Sequence, residues 1–133
     1  MRTEIHTYET SATPFNDITT DVQQFIGDAR EGLLSVFVPH ATAGVAIMET
    51  GSGSEADLEA TLNRLLPRDD RWTHSHGSRG HGADHVLPAF VAPSVTIPVV
   101  DGRMQLGTWQ SIVLVDLNRD NPQRQVRFSF LEG

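Results

Sequence analysis

The sequence predicts an α+β domain, and three observations carry that expectation. Two segments place apolar residues at helical spacing. Several runs of strand length are apolar or alternating. From Ser94 onward the chain reads as successive strands joined by short turns, with the helical segments gathered ahead of them. A chain of 133 residues, 38% of them hydrophobic, is long enough to bury its own core, so residues 1–133 are expected to form one domain.

Taken in order, residues 2–10 alternate loosely and read as an edge strand. Asn16 is placed to cap a helix running to about Arg30, because Ile18, Val22, Phe25, Ile26 and Ala29 recur on one face of a 3.6-residue period; Gly32 ends it. Residues 33–38 and 43–48 are continuous apolar runs, as expected of strands covered on both faces. Pro39-His40-Ala41-Thr42 separates them. Ser54–Asp57 resembles a capping box with Asp in place of the usual Glu, and Leu58, Leu62, Leu65 and Leu66 then form a second helical face closed by Pro67. Residues 69–83 are polar and rich in Gly and His, a loop long enough to suggest function. A short third helix to about Phe90 follows. Strand 94–100 leads into the hairpin dipeptide Asp101-Gly102. After two further strand patterns and a turn at 118–122, Val126, Phe128 and Phe130 alternate with polar residues in the last strand.

Composition excludes several function classes. There is no cysteine, so disulfides, thiolate metal sites and cysteine nucleophiles are ruled out. All ten basic residues are arginines and the formal net charge is −7, which argues against nucleic-acid binding and excludes lysine Schiff-base chemistry. The apolar runs are far too short to span a bilayer, and the first residues carry no secretory h-region. A cytoplasmic protein without membrane association is therefore expected.

Four of the six histidines, His74, His76, His81 and His85, fall within twelve residues. His-x-His in a strand and His-x3-His in a helix are both spacings at which imidazoles share a metal. His40 lies between two apolar runs and by itself reads as a hydrogen-bonded structural residue. Glu49, where a strand leaves the core, reads as a solvated carboxylate, a metal ligand or a general base. Gly107-Thr108-Trp109-Gln110 interrupts a strand-rich stretch, and Trp109 taken alone reads as a core residue in a bent strand. Arg124 shares the parity of Val126, Phe128 and Phe130. Its side chain leans toward the apolar face and needs an internal carboxylate or a bound anion.

His40-Ala41-Thr42-Ala43-Gly44, Glu49, Trp72-Thr73-His74, His85, residues 94–99 and Gly107-Thr108-Trp109-Gln110, in this order and spacing, resemble the YjbQ family, often labelled secondary thiamine-phosphate synthase. The likeness runs from about residue 3 to 131. It implies an α+β fold with an antiparallel sandwich-like sheet, two main helices and a short third, and a homotrimer with a polar pocket close to a subunit boundary. Carried over, the family histidines fall on His40, His74 and His85 as ligands for a divalent metal, zinc or magnesium. Glu49, His40 and His85 become the catalytic set. Thr108, Trp109, Gln110 and Arg124 become the substrate contacts. His76 and His81 match no family histidine. Leu87 stands where a basic residue is common, and Met48-Glu49-Thr50 keeps only the glutamate of Asn-Glu-Asn. The activity implied is transfer of a pyrimidine methyl diphosphate to a thiazole phosphate, on a small phosphorylated metabolite. The residues themselves fit a zinc-dependent hydrolase or a metabolite- or metal-binding protein equally, and no organic cofactor is evident.

Overall fold

The structure, a computed structural model, describes residues 1–133. The strands are β1 (Arg2–Glu9), β2 (Phe15–Asp17), β3 (Gly32–Phe37), β4 (Gly44–Met48), β5 (Ser94–Val100), β6 (Arg103–Met104), β7 (Ser111–Val115) and β8 (Gln123–Glu132). The helices are α1 (Thr19–Ile26), α2 (Ser54–Leu65) and α3 (His81–Val86), the last continued by a single 3₁₀ turn over Leu87–Ala89. No helix is long and apolar enough to cross a membrane.

The strands form two antiparallel sheets rather than one. A five-stranded sheet has the order β1-β8-β3-β5-β6, and a three-stranded sheet has the order β2-β7-β4. The predicted edge strand is β1, paired along its whole length with β8. The main core lies between the sheets. Leu34, Val36, Ile97, Val99, Val126, Phe128 and Phe130 of the large sheet meet Val45, Ile112 and Leu114 of the small one, with Val22, Phe25 and Ile26 of α1 completing it. A second cluster joins Leu62 and Leu66 of the α2 segment, Ala83 and Leu87 of the α3 segment, and Val113 and Val115 of β7. β7 is thus buried on both faces, from Ile112 to Val115.

β3 departs from that condition. Leu33 and Phe37 are 48% and 43% exposed, because one face of β3 turns away from the core. Ile5, Val100 and Leu131 stand exposed on the same outer face. The first helix is also shorter than its spacing predicts. Asn16 pairs with Leu114 inside β2, and the helix starts three residues later. Asp17 meets the start instead, its Oδ1 accepting the backbone N–H and hydroxyl of Thr19. The helix closes at Gly27 and not at Gly32, which opens β3. In α2 the cap is Gly53, and Glu55 reaches back to the N–H of Gly51, so the box expected at Ser54 and Asp57 is replaced.

Candidate functional site

α3 begins at His81, so His81 and His85, four residues apart, project from one face of it. The preceding loop runs back across this face and adds His74 and His76. One nitrogen of each of the four rings lies within 4.8 Å of the others. Ring centroids are separated by 3.9 Å for His74–His85, 4.1 Å for His74–His76 and 4.6 Å for His81–His85. His85 Nε2 is 2.9 Å from His81 Nε2. Nitrogens sharing a tetrahedral zinc lie about 3.3 Å apart, so small ring rotations suffice to hold an ion. The group adjoins a cavity of about 450 Å³ lined by Asp69, Trp72, His74, His76, Arg79 and His81, among others.

The cluster is built on a polar scaffold. Asp84 is buried on α3 and is paired with Arg68, while the Asn118 amide donates to its Oδ2 at 2.9 Å. Asn118 also reaches His81 Nδ1 at 3.1 Å, and Asp120 Oδ2 lies 2.8 Å from the same nitrogen. Trp72 donates its indole N–H to Pro67 O at 2.8 Å, fixing the loop's entry. His85 is held below the ordinary histidine range by burial first and then by the facing rings of His74, His81 and His76. His74 is lowered too, by desolvation and then by His76 and His81. Neutral imidazoles are the form that ligates metals.

The structure therefore gathers His74 and His85 with His76 and His81, and not with His40. His40 Nε2 accepts the backbone N–H of Gln125 at 2.9 Å, the structural role its position suggests when read alone. Burial, then the charge of Arg124, lowers its pKa. Arg124 is 1% exposed and has an internal carboxylate: Nε and Nη2 donate to Asp116 at 2.7 and 3.0 Å, and Nη2 also donates to Thr42 Oγ1 at 2.7 Å.

The remaining candidates lie at the opposite end of β7. Met48 pairs with Ser111, so Glu49 and Thr108-Trp109-Gln110 flank the beginning of that strand, whereas Asp116 and Asn118 follow its end. The strand between covers about 13 Å. Trp109 is 74% exposed in a turn, not a core residue, and Gln110 closes the turn by accepting the N–H of Gly107 at 2.7 Å. Sequence reasoning set aside His76 and His81, although their spacings were the available signal. Asn118 and Asp120 carried none beyond a place in a turn.

A family model described as UPF0047 protein YjbQ-like matches residues 3–133. The UPF0047 protein Rv2556c of Mycobacterium tuberculosis is 63% identical over 133 residues, covering all of both chains. A UPF0047 protein of Methanothermobacter thermautotrophicus is 36% identical over 117 residues, 85% of this chain and 79% of that one. Among solved structures, the hypothetical protein APE1520 from Aeropyrum pernix K1 superposes with a TM-score of 0.90 at 31% identity, covering both chains completely. A YbjQ-like protein of unknown function from Sulfolobus solfataricus gives 0.91 at 24% identity over 99% of this chain and 97% of its own, a likeness of fold.

Proposed function

The chain belongs to the YjbQ-like UPF0047 family, and from that premise we propose that it is a zinc-class metal-binding protein with the ion held by His74, His76, His81 and His85. The observation that supports this is the convergence of four imidazoles from two short segments, with nitrogens within 4.8 Å of one another. Such a donor set suits zinc, nickel, cobalt or copper, whereas magnesium prefers oxygen ligands, so zinc takes precedence over magnesium. When bound, an ion of this class supplies Lewis-acid polarisation of an oxygen ligand. Metal analysis of protein purified without added metal tests the reading. About one equivalent per chain is expected, and a His81→Ala, His85→Ala double variant should lose it. Failure of the wild type to bind zinc at micromolar concentration would sink it.

A hydrolytic activity is the second reading. His76 is exposed at the loop, so its departure would leave three imidazoles and an open position facing the cavity. Glu49 lies at the far end of β7 and reaches such a site only from another copy of the chain. The homotrimer implied by the family resemblance would supply that copy, and the outer face bearing Leu33, Phe37 and Leu131 offers apolar surface for it. Thiamine-phosphate transfer rests on the resemblance. A diphosphate needs free cations, yet Arg68, Arg71 and Arg124 are each paired with a carboxylate, leaving Arg79 at the cavity. A transfer assay with and without zinc, compared with a panel of ester and phosphoester substrates, separates the two activities.

A further inference from the structure

Building on the metal-binding reading above, we infer that Asp120 is the positioning carboxylate of the cluster, accepting a hydrogen bond from Nδ1–H of His81 so that the Nε2 lone pair faces the ion. The His81 ring stands between groups that ask opposite things of it. At Nδ1, the Asn118 amide nitrogen lies at 3.1 Å and Asp120 Oδ2 at 2.8 Å. The amide is oriented by its own oxygen, which accepts the backbone N–H groups of Asp120 and Asn121 at 2.9 and 3.0 Å. Its nitrogen is therefore a donor toward His81, whereas the ionised carboxylate can only accept. At the other side of the ring, Nε2 faces His85 Nε2 at 2.9 Å.

Two neutral tautomers satisfy these neighbours in different ways. With its proton on Nε2, His81 donates to His85 and accepts from Asn118. With its proton on Nδ1, it donates to Asp120 and leaves Nε2 free to ligate. Only the second serves an ion at the centre of the cluster. An ion therefore meets the Nδ1-protonated ring, and the proton count on His81 is unchanged by loading.

Asp120 is prepared for the second arrangement. Its Oδ2 accepts both the backbone N–H and the hydroxyl of Ser78 at 3.0 Å. Gly77 leaves room for the contact. A Cβ there would lie 2.7 Å from His81 Cγ and 2.8 Å from Asp120 Oδ2, and φ is +81°. A carboxylate behind a ligating histidine is a common device for fixing its tautomer and strengthening the bond to the metal.

The test is titration of the full chain with zinc chloride in competition with a chromogenic chelator. Asp120→Asn should bind about 10–100-fold more weakly than wild type, while Glu59→Gln on α2 should be unchanged. Gly77→Ala keeps both groups but wedges them apart, and should weaken binding in the same direction. It keeps the inference falsifiable if Asp120→Asn melts prematurely without metal. Nitrogen-15 spectra of the histidine rings in the zinc-loaded wild type should place the His81 proton on Nδ1. Equal affinities for wild type and both variants, or a loaded His81 protonated on Nε2, would overturn the role of Asp120 and leave the four-histidine reading intact. No zinc binding by the wild type would overturn both.

Discussion

Arg124 is a charged side chain with almost no contact with solvent, and Asp116 and Thr42 account for its bonds. Removing one member of a buried pair strands the other, so Arg124→Ala should destabilise the fold by about 3–5 kcal/mol. Chemical denaturation reads this directly. A combined Arg124→Met, Asp116→Leu variant should recover much of the loss, because no uncompensated charge remains. If Arg124 served only to meet a bound anion, the single variant would leave the midpoint unmoved. His40 permits a second measurement at this scale. Its pKa is lowered in the fold, by burial first and then by Arg124. The unfolded chain therefore binds the proton more readily. Stability from this group is complete above the ordinary histidine pKa of about 6.5 and is lost as pH falls below it. Wild type should lose stability between about pH 7 and pH 5 more steeply than His40→Gln. Parity in the last strand made the burial of Arg124 legible in the sequence. The choice between carboxylate and anion was not legible, because Asp116 follows β7, whose place beside Arg124 only the fold sets.

The third helix packs Ala83 into the second apolar cluster with Trp72 of the preceding loop beside it, and polar contacts through Asp84 and Asn118 add to them. An ion shared by His74 and His76 of the loop and His81 and His85 of the helix would tie the two together. Zinc at about a hundred times its dissociation constant should stabilise the protein by about 2.7 kcal/mol. That appears as a raised melting temperature, reversed by a chelator. A melting temperature indifferent to zinc would count against the site. The pairing of His81 with His85 was readable from His-x3-His, since that spacing brings rings to one side of a helix, whereas His74 and His76 lie in a loop where strand spacing does not apply. Selecting His40 over His76 and His81 followed the family pattern, and the fold draws the group from local neighbours instead. The first helix shows a different limit. The apolar spacing of Ile18, Val22, Phe25 and Ile26 located it correctly, yet Asn16 was claimed by a strand ladder that no local signal announces.

On the scale of the molecule, the candidate residues divide between the two ends of β7, and the large sheet keeps an apolar outer face. Assembly of three chains would answer both facts. Sedimentation should report three times the 14.6 kDa chain mass, and Leu33→Glu with Phe37→Arg should shift it toward one chain. In a Trp72→Phe background the emission of Trp109 reports whether a neighbour covers it. It should be bluer in the assembled protein than in the dissociated variant. Emission unchanged by dissociation would mean that Trp109 takes no part in a shared pocket. The buried face of β8 was within reach of pattern reasoning, because Val126, Phe128 and Phe130 alternate with polar residues. The division into two sheets was not, since it depends on which distant strands pair.

The pairing of β1 with β8 also bears on how this protein fails. β1 is the margin of the large sheet and carries Arg2, Glu4, His6 and Glu9, while the strand it covers holds Val126, Phe128 and Phe130. Peeling β1 away would bare an eight-residue ladder of backbone donors and acceptors beside those side chains. Such a bared edge templates fibril growth, so the charged border strand acts as a guard against aggregation, and truncating it should shorten shelf life in concentrated solution well before it alters the four-histidine cluster.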